Sequence, residues 1–374
     1  MKPHRLLGFL SGAWLTLGCP AAEATPTPPR DLGFAHTREY AIIGTNVYSY
    51  LLSEPSPAAA VDPHLTALGY RVVAPDMLGY GRTNAPLDTK RFSLKNMSDD
   101  LARLVKKVAG NEQVILGGHD WGGAMVYRAA LWHPELYKGI FSVCTPYFPP
   151  TTQYVDLKDQ IAAGITPSFG YQLQLREPAI DLKLLGSAKI RQVLLALYGA
   201  TTPAGQPGFD ARTGLLFDNM PKLGSSPLVS DADVSYYTTE YLKNTMRGPL
   251  NWYRTAQVNF QDELALLRTP GGINFTMPGL YVGATLDTAL PPSMSVGMEK
   301  YFPKGGLTRG EVVASHWALW HAARDVNVLL GQWISGLEAA SPSINRAADA
   351  DADPCSSIKL AARRLPAFSR PCHR

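Results

Sequence analysis

The stretch Gly117-Gly118-His119-Asp120-Trp121-Gly122-Gly123 decides how the rest of the chain is read. It follows a short apolar run, Val114-Ile115-Leu116, and opens a helix-like segment from Ala124 to Trp132. An acid between small residues, Gly118-x-Asp120-x-Gly122, has the form of a nucleophile elbow with Asp where Ser is usual. That change alters the chemistry. A serine must lose a proton to attack a carbonyl. A carboxylate is already anionic at neutral pH and attacks a saturated carbon, leaving an ester on the chain. Asp also suits a helix N-cap, so the elbow reading rests on the strand before it and the helix after it. The helix N-terminus would keep Asp120 anionic and offer backbone N–H groups, that of Trp121 among them, to its carbonyl once esterified.

Upstream, Arg38 to Ile43 and Asn46 to Leu52 read as strands joined by Gly44-Thr45, and Arg71 to Ala74 as another, ended by Pro75-Asp76. Leu101, Leu104, Val105 and Val108 give Ser98 to Val108 a helical spacing. Downstream, Gly139 to Cys144 reads as a strand, then Pro146, Pro149 and Pro150 break the pattern. From Thr151 to Gln261 the chain is aromatic and helical in character. Alternation returns with a strand at Gly279 to Val282, a helix at Pro292 to Tyr301, a strand at Gly310 to Ala314 and a helix from Trp320 to about Leu337. Strands alternating with helices predict an α/β class with a mostly parallel sheet, flanking helices and an inserted helical cap. The expected divisions are 25–145 and 262–338 for the two parts of the core and 146–261 for the cap. No internal repeat is seen.

The two ends read differently. Lys2 and Arg5 precede an apolar stretch, Leu6 to Leu17, too short to span a bilayer, and Ala22-Glu23-Ala24 fits a cleavage site. Residues 1–24 therefore read as a signal peptide, which suggests the secretory route. Sequons at Asn96 and Asn274 are compatible with it. Residues 339–374 lack periodicity and read as a disordered tail. No other segment is long and apolar enough to cross a membrane.

With 374 residues, 45% apolar and 18% charged, the chain can bury a large core and an inserted unit. Its net charge of +4 sits in the two ends, which leaves a near-neutral body and argues against nucleic acid as a partner. None of the four Cys spacings fits a zinc site. Cys144 reads as a core residue, and Cys355 and Cys372 would pair only in an oxidising compartment. Neither metal nor cofactor is expected.

An ester on Asp120 needs a general base to break it. Of the eight His, His316 follows the strand Val312-Val313-Ala314 in a turn, at the kind of strand end where sites form in this class. His321, one turn on, reads as packing, and His119 neighbours the nucleophile but should point away. Asp287 follows the Leu280 to Gly283 strand and is placed to orient the base.

These motifs resemble the epoxide hydrolases of the α/β-hydrolase fold over about residues 36–338. The family carries Gly-His-Asp-Trp-Gly-Gly, here Gly118 to Gly123. It also carries Pro75-Asp76-Met77-Leu78-Gly79-Tyr80-Gly81 after a strand, and Ser315-His316-Trp317. The order Asp, Asp, His is that of α/β-hydrolases. The resemblance implies two cap tyrosines that hold the epoxide oxygen. Phe169-Gly170-Tyr171-Gln172 and Asn251-Trp252-Tyr253-Arg254 match in form, which makes Tyr171 and Tyr253 the candidates. It implies a lipophilic epoxide as substrate and a vicinal diol as product.

The chain departs from the family at one place. A buried strand followed by His-Gly-x-Pro, which supplies a second oxyanion donor, is absent between Leu52 and Leu65. The prolines and acid of Ser53 to His64 do not make a central strand, so one central strand is expected to be missing. Either this sequence omits a segment or the chain has lost it and is an inactive relative. Loss of one oxyanion donor costs about 3 to 4 kcal/mol of transition-state stabilisation. A haloalkane or haloacid dehalogenase shares the Asp, His and acid, with Trp121 binding halide, but has no tyrosine pair. An ester hydrolase is disfavoured by the Asp.

Overall fold

The structure is a computed structural model that describes residues 4–10, 36–55 and 64–340. The chain divides into two units, Met1–Ile334 and Ser335–Arg374. The first holds every strand and the candidate site residues. Of the second, the described residues 335–340 are helical. Residues 1–3 and 11–24 of the expected signal peptide, the Thr25 to Pro29 linker, residues 56–63, most of the expected tail and the Cys355 and Cys372 pair lie outside the described residues.

The strands are β1 (His4–Leu10), β2 (Thr37–Ile43), β3 (Asn46–Ser53), β4 (Tyr70–Pro75), β5 (Val114–His119), β6 (Tyr137–Val143), β7 (Phe209–Asp210), β8 (Gly214–Leu215), β9 (Gly279–Ala284) and β10 (Leu307–Val312). Among the described residues the main sheet has eight, in the order β10-β9-β6-β5-β1-β4-β3-β2. Two pairings in it are antiparallel, β2 with β3, in a hairpin that Gly44 turns at φ 60, and β3 with β4. β5 and β9 are buried at every position, as expected of parallel strands covered on both faces.

The expectation of a missing central strand is corrected here. The position between β4 and β5 is filled by β1, parallel to both, with Leu7 opposite Val73 on one side and Leu116 on the other. The replacement comes from residues 4–10 and not from residues 53–65. This stretch has the composition of the front of a leader, and its apolar character serves a central strand equally well.

Helix α1 (His64–Ala67) precedes β4, and α2 (Leu94–Ala109) and α3 (Trp121–Trp132) flank β5. The Ser93 hydroxyl accepts from the Asn96 N–H at 3.2 Å, which starts α2 one turn earlier than its apolar spacing suggests. That cap also draws the Asn96 sequon into the helix, where the Asn96 amide donates to the Lys90 carbonyl. Met97, Leu101, Leu104 and Val105 are fully buried, each stabilising the core by roughly 1.5 to 3 kcal/mol.

Between β6 and β9 the chain leaves the sheet. It forms α4 (Leu157–Ala162), α5 (Gly170–Leu175), α6 (Ile180–Lys183), α7 (Ser187–Leu197), the β7–β8 hairpin, α8 (Asp231–Asn244), α9 (Arg247–Asn251) and α10 (Ala256–Arg268). Ser230 and Asp233 form a capping box that starts α8. The helix expected at Pro292 to Tyr301 is instead two 3-10 turns, because Gly297 breaks it at φ 82. The last helical stretch is α11 (Ala318–His321) and α12 (Ala323–Ala340). Among the described residues no helix is long and apolar enough to cross a membrane.

Candidate active site

The turn from β5 into α3 holds Asp120 at φ 54, a left-handed conformation rare for a side-chain-bearing residue. It forms because the neighbours are glycines. A Cβ on Gly118 would overlap the Gly122 backbone, and one on Gly123 would overlap the Ser142 hydroxyl. The Thr145 hydroxyl donates to the Asp120 main-chain carbonyl at 2.7 Å and pins the turn. Asp120 occupies the N-cap position of α3, but its side chain makes no capping hydrogen bond there.

The carboxylate faces His316 instead. His316 Nε2 lies 3.3 Å from Asp120 Oδ1, and His316 Nδ1 lies 2.7 Å from Asp287 Oδ2. Asp287 is buried, and its other oxygen accepts from the Ala289 and Leu290 N–H groups at 2.8 and 2.9 Å. Burial raises the Asp287 pKa, but the His316 imidazole and those two N–H groups outweigh it and hold the carboxyl below its usual range. Burial also raises Asp120, and again the bond to His316 and the Trp121 backbone N–H bring it below. Between the two carboxylates, His316 is lifted to about 10 despite burial that lowers it. The resting group is an imidazolium with a carboxylate at each nitrogen.

The two tyrosines arrive from separate parts of the insertion. Tyr171 sits on α5, and Tyr253 on the 3-10 turn after α9. Their rings meet edge-on, 6.0 Å apart, and Tyr253 stands edge-on to Trp121 at 5.3 Å. Burial pushes both phenols well above their usual range, and Asp120 is close enough to raise both further. Asp120, Trp121 and Tyr253 share a cavity of about 90 Å³ with apolar walls such as Leu184, Val193 and Leu215. Trp121 and Tyr253 also border an open cavity of about 560 Å³ on the side of Phe169 and Gln172.

Tyr253 is placed by a close backbone approach. Gly79, in the loop after β4, and Gly248, in α9, touch so closely that a Cβ on Gly248 would overlap the Gly79 carbonyl. The Trp252 indole donates to the Leu78 carbonyl at 3.0 Å beside them.

Two supporting residues escape a sequence reading. His119 is fully buried, and its Nε2 lies 2.7 Å from the His316 carbonyl, which fixes that nitrogen as the donor. Burial and the nearby His316 hold His119 down at about 4, so it is neutral. Cys144, at φ 66, is buried as a core residue should be, and its Sγ donates to the same carbonyl at 3.4 Å. His321 is not packed as expected. It is exposed, and its Nδ1 accepts the Ser315 N–H at 3.1 Å. His119, Cys144 and His316 lie close enough to suggest a metal cluster, but their polar atoms are committed to these hydrogen bonds and carboxylates. Residues 11–35, which follow β1, lie outside the described residues.

The α/β hydrolase fold family model matches residues 53–323. Epoxide hydrolase srdG of Neurospora crassa is 42% identical over 279 residues, 73% of this chain and 80% of that protein. The chain belongs to the epoxide hydrolases of the α/β-hydrolase fold. Bifunctional epoxide hydrolase 2 of Sus scrofa is 32% identical over 290 residues, 76% of this chain, and the match spans about half of that longer relative (49%). Among solved structures, an epoxide hydrolase of Vigna radiata superposes with a TM-score of 0.66 at 20% identity, covering 80% of this chain and 98% of that one. At that identity the likeness speaks for the fold of this epoxide hydrolase family member alone.

Proposed function

We propose that this chain hydrolyses a lipophilic epoxide to a vicinal diol through an ester on Asp120. The observation that carries the reading is His316 bridging Asp120 and Asp287 at 3.3 and 2.7 Å, beneath an edge-on pair of phenols.

In the first step an Asp120 oxygen bonds to an epoxide carbon and that carbon's bond to oxygen breaks. The electron pair goes to the epoxide oxygen, which Tyr171 and Tyr253 hold and which takes a proton from a phenol. In the second step water loses a proton to His316 and attacks the ester carbonyl. The Trp121 N–H faces the oxygen on which charge collects. Collapse passes the proton of the added hydroxyl to the departing alkoxide, which frees the diol and restores the carboxylate, and the proton that water gave to His316 restores the resting imidazolium.

The charge arrangement orders the steps. While Asp120 is anionic, its charge and hydrogen bond help hold His316 protonated. Esterification removes both, which lowers the His316 pKa, so that its proton passes to the phenolate left by the first step and the neutral imidazole can act as base. Orienting Asp287 remains.

The apolar walls around Asp120 favour a lipophilic substrate. Halide release fits less well, because the Trp121 indole that would hold a halide is a hydrogen-bonding neighbour of the Tyr253 hydroxyl. The test is a single turnover in ¹⁸O water. The expected result is label in the Asp120 carboxylate. Label found only in the diol would establish direct attack by water and defeat the reading.

A further inference from the structure

Tyr171 is held more firmly than its role as a hydrogen-bond donor alone requires. Its backbone N–H donates to the Ala211 carbonyl at 3.1 Å. Gly170, just before it, lies so close to the Arg212 carbonyl that a Cβ would overlap it. Gln174 ties the same helix to the β7–β8 hairpin, giving to the Leu215 carbonyl at 3.1 Å and taking from its N–H at 2.8 Å. Phe209 from that hairpin stands edge-on to the Tyr171 ring at 5.4 Å. With the ring fixed on so many sides, the freedom that remains is rotation of the O–H bond.

Gln172 acts on that rotation. Its Nε2 donates to the Tyr171 hydroxyl oxygen at 3.2 Å. A phenol oxygen carries one proton and accepts through its lone pairs. When the oxygen accepts from an amide N–H, its own proton must turn away from that donor. We infer that Gln172 is a positioning residue that keeps the Tyr171 proton free for the epoxide oxygen. The inference rests on the two-step reading above.

The arrangement gains strength as the reaction proceeds. When the epoxide carbon–oxygen bond breaks, the Tyr171 proton passes to the epoxide oxygen and the electron pair of the O–H bond stays on the phenol oxygen. The Gln172 N–H then faces a developing phenolate, and a hydrogen bond to a charged acceptor is the stronger kind. It therefore favours the transition state over the bound substrate. The amide turned over would place its carbonyl oxygen at the hydroxyl and take the proton away from the substrate, so the identity of the group at this position matters as well as its size.

The test is a double-mutant cycle read step by step. From a panel of alkyl and aryl epoxides, the one the parent turns over fastest is the probe. Rapid quench and intact-protein mass follow formation and decay of the ester in the parent, Gln172→Met, Gln172→Glu, Tyr171→Phe and the Gln172→Met/Tyr171→Phe pair. Gln172→Met, similar in size but with no N–H, is expected to slow ester formation about tenfold and to leave ester decay within about twofold. Gln172→Glu, which accepts and does not donate, is expected to slow it further. With Tyr171→Phe already present, Gln172→Met is expected to cost under about twofold. Equal slowing in both backgrounds, or none in the parent, would overturn the inference while leaving the two-step reading intact. A parent that turns over epoxides with no ester would defeat that reading and the inference with it.

Discussion

His119 donates its ring N–H to the main-chain carbonyl of His316, 2.7 Å away. The residue just before Asp120 thus steadies the loop that carries His316. Two parts of the site that lie 197 residues apart in sequence are joined by one bond between neutral groups.

Replacing His119 with Phe removes that donor and leaves the part-buried His316 carbonyl with the weak Cys144 thiol as its partner among the described residues. A net loss of about 1 to 3 kcal/mol is expected, felt in the His316 loop. Ester decay should slow by about tenfold or more while ester formation changes little, and rapid quench separates the two. Equal slowing of both steps would contradict this assignment.

In the proposed mechanism His316→Gln removes the base but spares the Asp120 nucleophile. The expected outcome is a covalent ester that accumulates to about one per chain and persists, seen as a mass increase equal to the epoxide. Turnover that continues at the parent rate would show that another group activates water.

Gly248→Ala places a Cβ where the Gly79 carbonyl stands. The backbones must separate, which moves the turn carrying Tyr253. Overpacking of this kind costs roughly 1 to 3 kcal/mol, so a lower melting temperature and slower ester formation are expected together. An unchanged rate of ester formation would show that Tyr253 does not depend on this contact.

The pH dependence of stability follows from His316. Its folded pKa of about 10 lies above an unfolded value of about 6.5. Because the shift is upward, the stability it contributes is complete below about pH 6.5 and is lost as pH rises through about 10. The gap in melting temperature between the parent and His316→Gln should narrow over that interval, and a gap that stays constant would contradict the raised value.

Leu7→Pro tests the first strand. Residue 7 is paired on both sides, and Pro in the middle of a sheet removes a ladder hydrogen bond. Loss of the cooperative unfolding transition is expected. A variant that melts like the parent would show that β1 does not occupy the sheet.

Much of this molecule is legible in its sequence because the informative features are local. The elbow is spelled out by Gly118 and Gly122 on either side of Asp120, and His316 and Asp287 each follow a recognisable strand. Recognition of Tyr171 and Tyr253 needs the family pattern, since nothing in the spacing of two residues 82 apart says that their rings meet. His119 and Cys144 are not legible as supports. Their partner is a backbone carbonyl, which has no letter in a sequence. β1 misleads for a different reason. A short apolar run beside Lys2 and Arg5 has the composition of a leader, and its pairing with β4 and β5 depends on residues far away in the sequence.

The central place of β1 also bears on how the chain is made. This strand leaves the ribosome well before the two that flank it, which start 66 and 110 residues after His4, at Tyr70 and Val114. Until both have emerged, its backbone has no strand to pair with, and non-local pairing of this kind is slow and open to aggregation. Production of this protein will therefore depend on what shields that segment during the wait, and any tag fused ahead of it must leave from the middle of the sheet.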